Sequence, residues 1–320
     1  MDHWPLTLFA LRGSRDLAER VGARMDIVLA PHEERNFEDG EHKTRPMRDV
    51  RGHDVFVLHS LHGDETESGN DKLCRLLFFC GALKDAGANR VTAVTPYLCY
   101  ARKDRRTKPN DPIITRYVAA LFEAVGIDQM IAAEVHNVAA FENAFRCPTW
   151  HVEIAPLLAA HFAPSLRGEA VVAVSPDAGG AKRAEQFRQA LERLTRKDVG
   201  SAYMEKYRSS GVVSGELLAG DVRGKVAVIV DDLISTGGTL VRAARACRAA
   251  GATKVFAAAA HGLFVDGATE LFAAPEVDAI VVSDTVPPFR VPTETAARRL
   301  IVLDVSDTIA RAIMACHSAS

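Results

Sequence analysis

The segment VAVIVDDLISTGGTL (Val226–Leu240) is an apolar run that ends in two adjacent acids, a turn rich in hydroxyls and glycine, and the start of a helix. Val226 to Val230 are continuously apolar and mostly β-branched, the pattern of a central strand buried on both faces. Asp231 and Asp232 fall at its expected carboxyl end, where open α/β sheets bind ligands. Gly237 and Gly238 permit a tight turn with converging backbone N–H groups. A helix expected to begin near Thr239 adds its positive N-terminal end. With the hydroxyls of Ser235, Thr236 and Thr239, the turn forms a nest for a phosphate monoester. The two carboxylates would repel that phosphate if they faced it. They are better placed to accept hydrogen bonds from vicinal hydroxyls, so the segment predicts a sugar-phosphate site. The plainer alternative, an ordinary strand–turn–helix with capping residues, leaves two buried acids without partners, which is costly.

Outward from this segment, short β-rich runs alternate with helical patterns from end to end. Val55–Leu61, Val91–Tyr97, Gln129–Val135, Ala170–Pro176 and Ala279–Asp284 all read as strands. The helical stretches between them close on glycines, as in NDKLCRLLFFCGALKDAG and TLVRAARACRAAG. Alternation of this kind predicts mainly parallel sheets flanked by helices. An internal echo runs through the chain. VRGHDVFVLHSL from Val50 is answered by VRGKVAVIVDDL from Val222, DAGANRVTAV from Asp85 by AAGATKVFAA from Ala249, and VGIDQMIAA from Val125 by PEVDAIVVS from Pro275. The order is kept while the offset shrinks from 172 to 164 to 150. This predicts two similar domains of different loop length, residues 1–150 and 151–320, with the last helix packing back on the first domain.

The totals bound the function. The 320 residues are 48% hydrophobic and 25% charged, with a formal net charge of -2 and no long basic run. That is the balance of a globular protein without general affinity for nucleic acid or anionic membrane. Six scattered cysteines without CxxC spacing read as reduced thiols, neither a zinc site nor a disulfide framework. The N-terminal residues do not resemble a secretory signal, and no apolar run spans a bilayer, so a cytoplasmic protein is expected.

VIVDDLISTGGTL resembles the phosphoribosyl diphosphate-binding signature of the type I phosphoribosyltransferase fold. NFEDGE (Asn36–Glu41), PYLCYARKDRR (Pro96–Arg106), VSPDAGGAKRA (Val174–Ala184) and HGLF (His261–Phe264) resemble, in order, the segments of the ribose-phosphate diphosphokinase family. That resemblance implies two tandem type I phosphoribosyltransferase-like domains, of which only the second keeps the sugar-phosphate loop. The first-half counterpart, LHSLHGDETESGNDKL (Leu58–Leu73), lacks the acid pair and the TGGT turn. The resemblance implies ATP and ribose 5-phosphate as substrates, Mg²⁺ as cofactor and a homo-oligomer, from dimer to hexamer. It places ATP on Phe37, Asp39, Glu41, Arg102 and Lys103, in segments that can meet across a subunit interface. It places ribose 5-phosphate on Arg208, Asp231, Asp232, Ser235, Thr236, Gly237, Gly238 and Thr239.

Metal falls to His136 and Asp177 by the same likeness. A lone histidine is a poor Mg²⁺ ligand, whereas Asp177, a carboxylate after a strand and before two glycines, suits a diphosphate cradle. Lys206 and Arg208 in YMEKYRSSG (Tyr203–Gly211) would ordinarily be solvated charges in a loop. The likeness makes them the catalytic cations of a flap. Ser235 replaces a common Asp, Lys103 a common Gln, and Glu134 a usual Asp. Ser235 together with the Lys-x-Arg flap is similar to the archaeal-type branch, generally ATP-specific and without ADP or phosphate allostery. Two rivals are a phosphoribosyltransferase that consumes the diphosphate and a non-catalytic, synthetase-associated regulatory protein.

Overall fold

The computed structural model describes the backbone of residues 4–209 and 212–319, and the side chains of those residues outside 206–216. The chain forms two compact units, one comprising residues up to Val152 with the returning segment Val305–Ser320, the other Glu153–Asp304.

In the first unit the order is β1 (Leu6–Ala10), α1 (Arg15–Arg24), β2 (His32–Asn36), β3 (His42–Pro46), β4 (Asp54–Leu58) and α2 (Gly69–Asp85). β5 (Arg90–Thr95), α3 (Ile114–Ala124), β6 (Gln129–Ala133), α4 (Val138–Ala144) and β7 (Thr149–Val152) follow. Strands β1, β4, β5, β6 and β7 lie side by side in that order, all parallel. β4 and β5 are buried at every position, as their unbroken apolar and β-branched runs require. β2 and β3 pair antiparallel as a separate hairpin.

The second unit continues with α5 (Ala155–Ser165), β8 (Val171–Ser175), α6 (Ala181–Thr195), β9 (Gly200–Ser209), β10 (Val212–Ala219) and β11 (Val226–Ile234). It closes with α7 (Gly238–Ala249), β12 (Lys254–Gly262), α8 (Thr269–Ala273), β13 (Ala279–Ser283), α9 (Thr293–Arg299) and β14 (Leu300–Leu303). Its seven strands run in the order β10-β9-β8-β11-β12-β13-β14. All neighbours are parallel except the β9–β10 ribbon. The three echoed segments fall on β4 and β11, β5 and β12, and β6 and β13, which hold corresponding places in the two sheets. The tandem phosphoribosyltransferase-like architecture follows from that correspondence.

One topological difference separates the units. In the first, each crossover steps the same way across the sheet. In the second, β8 leads through α6 to β9 on one side, whereas β11 leads through α7 to β12 on the other. Right-handed crossovers then put α6 and α7 on opposite faces, opening a crevice between the ends of β8 and β11. The segment Tyr203–Gly211, expected as a loop, lies mainly in β9: an antiparallel register from Val212↔Ser209 to Ala219↔Tyr203 satisfies its backbone.

The C-terminal helix α10 (Ser306–Ser318) packs on α1, β6 and β7 of the first unit. Asp54, fully buried, accepts from Arg90 Nε at 2.8 Å, and its other oxygen lies 2.6 Å from His317 Nδ1 of α10. Among the described residues no helix is long and apolar enough to cross a membrane. Removing one partner of a buried ion pair leaves an uncompensated charge. Arg90→Met is therefore expected to lower unfolding free energy by about 3–5 kcal/mol in urea titration, whereas an exposed pair such as Arg15–Glu19 should contribute under about 1 kcal/mol.

Candidate functional site

The site grows from unequal pairing of β11. Its ladder with β8 stops at Ile229↔Val174, while its ladder with β12 runs on to Ile234↔Gly262. Asp231 and Asp232 thus lie within the strand, three and two residues before its last residue Ile234, and not at the end expected immediately after them. They nevertheless border the crevice, because β8 has already turned away into the loop Pro176–Gly180.

Adjacent strand residues point to opposite faces, yet one cation reaches both acids. Arg183 Nη1, in the first turn of α6, lies 3.7 Å from Asp231 Oδ1 and 3.8 Å from Asp232 Oδ1. Asp231 Oδ1 also accepts the Asp232 backbone N–H at 2.8 Å. Burial first, and then the neighbouring Asp232 carboxylate, push Asp231 up to about 8, while the Arg183 charge acts in the opposite direction. At neutral pH such a pair holds a proton between its members and can both accept from and donate to hydroxyl groups.

Past Ile234 the chain turns through Ser235 and Thr236 into Gly237, whose φ of +84° is left-handed. A Cβ there would also lie 2.6 Å from Leu271 Cβ, so both torsion and space require glycine. Gly238 then opens α7, one residue earlier than expected, with Thr239 in its first turn. The free N–H groups of that turn and the hydroxyls of Ser235, Thr236 and Thr239 form one donor-rich loop. Arg242 Nη2 reaches Thr239 Oγ1 at 3.4 Å, adding a cation one turn further along.

The loop after β8 is tied down by its own acid. Asp177 Oδ1 accepts the Gly180 N–H at 3.0 Å, and Ser175 Oγ donates to the Asp177 carbonyl at 2.6 Å. A Cβ at Gly180 would meet Ser175 Oγ at 2.9 Å. Asp177 retains a carboxylate oxygen for which no hydrogen bond is formed among the described residues. This suits Mg²⁺, which keeps several waters and needs only one or two protein oxygens. No three His, Cys, Asp or Glu side chains converge among the described residues.

The first unit carries the remaining candidates. Phe37, Asp39 and Glu41 form the exposed tip of the β2–β3 hairpin, closed by Phe37 N–H to Glu41 O (2.8 Å) and Glu41 N–H to Asp39 Oδ1 (3.0 Å). Arg35 stacks over the Phe37 ring at 5.0 Å. Arg102 and Lys103 are exposed in the loop between β5 and α3. His136 is exposed beyond β6, and Asn137 Nδ2 donates to Asp104 Oδ2 at 2.9 Å, bringing the Arg102–Lys103 loop beside His136. Glu134 is buried, with a left-handed φ of +40°. The backbones of Lys206 and Arg208 pair with Glu216 and Val213 on the β9–β10 ribbon, but their side chains lie outside the described residues.

The sequence reading passed over Arg183, Arg242 and Arg35. Arg183 had a usable signal: Lys182 and Arg183 stand in the first turn of a helix with no acid there, against the helix dipole. Cations so placed need an anionic partner from elsewhere. In the first unit, the counterpart of the Ser235–Thr239 loop carries buried polar side chains of its own. His59, Ser60, His62 and Lys72 are buried, and Lys72 Nζ pairs with Asp64. Burial and the Lys72 charge hold His59 well below the usual histidine range.

Crevice, acid pair and glycine turn on tandem, mainly parallel sheets define a phosphoribosyltransferase-like α/β protein. Residues 6–126 match the model of the N-terminal domain of ribose phosphate pyrophosphokinase, and residues 214–320 that of the phosphoribosyl synthetase-associated domain. The chain is 34% identical over 318 residues to ribose-phosphate pyrophosphokinase 1 of Streptococcus pyogenes, covering 99% of this chain and 96% of that one. It is 33% identical over 308 residues to the Fusobacterium nucleatum ribose-phosphate pyrophosphokinase, covering 96% and 93%. Among solved structures it is similar to phosphoribosylpyrophosphate synthetase from Mycobacterium smegmatis, with a TM-score of 0.88, 31% identity and coverage of 99% and 100%. The chain belongs to the ribose-phosphate pyrophosphokinase family.

The raised Asp231 value has a signed consequence for stability. Between the ordinary carboxyl value of 3.8 and about 8, the folded protein holds a proton that the unfolded chain lacks. Stability from this group therefore falls as pH rises through that window. Asp231→Asn removes the ionisation, so its urea midpoint should gain on the wild type between about pH 5 and about pH 8. Parallel pH profiles would contradict the assignment.

Proposed function

We propose that the protein transfers the pyrophosphoryl group of MgATP to the 1-hydroxyl of ribose 5-phosphate, giving 5-phosphoribosyl 1-diphosphate and AMP. The observation that carries this reading is the acid pair and glycine turn at the β8–β11 crevice, in a chain similar to pyrophosphokinases over nearly its whole length. The 5-phosphate binds the N–H groups and hydroxyls of Ser235–Thr239. Asp231 and Asp232 take the vicinal ring hydroxyls. This grip fixes the sugar at both ends and leaves its 1-hydroxyl as the free nucleophile.

ATP is assigned to Phe37, Asp39 and Glu41 at the hairpin tip and to Arg102 and Lys103. The exposed tip, with its aromatic ring, suits delivery to a neighbouring copy in a homo-oligomer. Asp177, through the oxygen not engaged by Gly180, and His136 would hold Mg²⁺. When bound, the ion neutralises phosphate charge. Lys206 and Arg208 then supply positive charge to the oxygens of the group in transit, where stabilisation of developing charge accounts for most of the catalysis in phosphoryl transfer. Arg208 is also assigned to ribose 5-phosphate. Both substrates belong to the cytoplasm, where we place the protein.

Purified protein given MgATP and ribose 5-phosphate is expected to form AMP and the sugar diphosphate in equal amounts. A phosphoribosyltransferase makes no AMP under these conditions. Neither does a regulatory, non-catalytic protein, the reading that the description of the C-terminal match favours when taken alone. Lys206→Ala is expected to reduce kcat by at least roughly a hundredfold while ribose 5-phosphate still binds. Near-normal turnover would remove Lys206 from the mechanism.

A further inference from the structure

We propose that Arg183 is a positioning residue that clamps Asp231 and Asp232 into a single acceptor for the vicinal hydroxyls of the sugar. The inference deepens the ribose 5-phosphate reading of this site and rests on it. Its basis is geometric. The Arg183 side chain is 10% exposed, and Asp231 and Asp232 are 22% and 7% exposed. One Nη1 stands nearly equidistant from an Oδ1 of each, at 3.7 and 3.8 Å.

The acids leave adjacent residues of a strand and would otherwise diverge to opposite faces. A guanidinium entering through the gap left by β8 presents one nitrogen to both carboxylates at ion-pair distance, so a single charge draws both toward one point. Its position on α6 fixes it relative to the sheet, because Ala184 and Phe187 of the same helix are buried in the unit's interior. Other titratable or charged groups described on the neighbouring elements make bonds of their own. His261 on β12 bonds Thr285 Oγ1 at 2.8 Å, Arg242 on α7 reaches Thr239, and Asp177 after β8 accepts from Gly180. β8 itself, Val171–Ser175, carries no charged residue.

Arg183 need not touch ribose 5-phosphate to act, so its loss should show as a selective binding defect. In the full-length enzyme, Arg183→Gln is expected to raise KM for ribose 5-phosphate roughly 10- to 100-fold, with KM for ATP unchanged. The acid limb of the 1/KM profile for ribose 5-phosphate should move to higher pH, since the pair loses the cation that favours its ionised form. Arg183→Lys keeps the charge on a shorter arm and should fall between wild type and Arg183→Gln. If Arg183→Gln does not fold, Arg183→Met, which preserves the aliphatic packing, is read in the same way.

A purely structural role would lower stability or kcat without displacing the pH profile and would affect both substrates alike. That result, or an unchanged KM for ribose 5-phosphate, overturns the proposal. Absence of AMP formation by the wild type would instead refute the diphosphokinase reading, which distinguishes the two failures.

Discussion

Two carboxylates on consecutive residues of a buried strand cannot both stay charged without a cation and hydrogen-bond donors beside them. The second unit is organised around this constraint. The pairing of β11 with β8 must stop five residues before its pairing with β12 does, so that Asp231 and Asp232 meet a crevice instead of a neighbouring strand. α6 must begin where Arg183 can reach both acids. The turn after Ile234 must bend through a left-handed Gly237 against Leu271, which sends the N-terminus of α7 back toward the same opening. Acid pair, cation and anion-binding turn are thereby brought to one end of one sheet, complementary to a molecule bearing hydroxyls at one side and a phosphate at the other.

The first unit shows what the same plan becomes without that constraint. Its strands step across the sheet in one direction, its hairpin β2–β3 stands apart from the main sheet, and no reversal opens a crevice. The matching positions after β4 hold buried His59, Ser60 and His62, and Lys72 Nζ paired with Asp64. The two units thus share a strand plan but differ after the first central strand, and the first unit's candidate residues Phe37, Asp39, Glu41, Arg102 and Lys103 are exposed at the hairpin tip and in the loop after β5.

Most of this was legible in the sequence because it rests on local patterns. The apolar run before Asp231 marked the central strand, the glycines marked the turn, and the ordered echoes at Val50 and Val222, Asp85 and Ala249, and Val125 and Pro275 marked corresponding strands. What escaped depends on contacts distant in the chain. The strand runs past its acids to Ile234 because β12 continues to pair with it, which nothing before Leu233 announces. Tyr203–Gly211 looked like a Ser- and Gly-bearing loop, yet residues 203–209 pair with residues 212–219 as a ribbon. Arg183 was read as part of a glycine-rich loop motif. Its adverse placement at a helix N-terminus becomes a signal only once the helix start is known.

The central claim is that the β8–β11 crevice grips a phosphorylated pentose through the acid pair. Isothermal titration of ribose 5-phosphate, without nucleotide, into the wild type and into the Asp231→Asn, Asp232→Asn double variant tests it directly. Saturable binding by the wild type, with loss of affinity of at least roughly tenfold in the double variant, is the result predicted here. Equal affinity in both proteins would contradict the account.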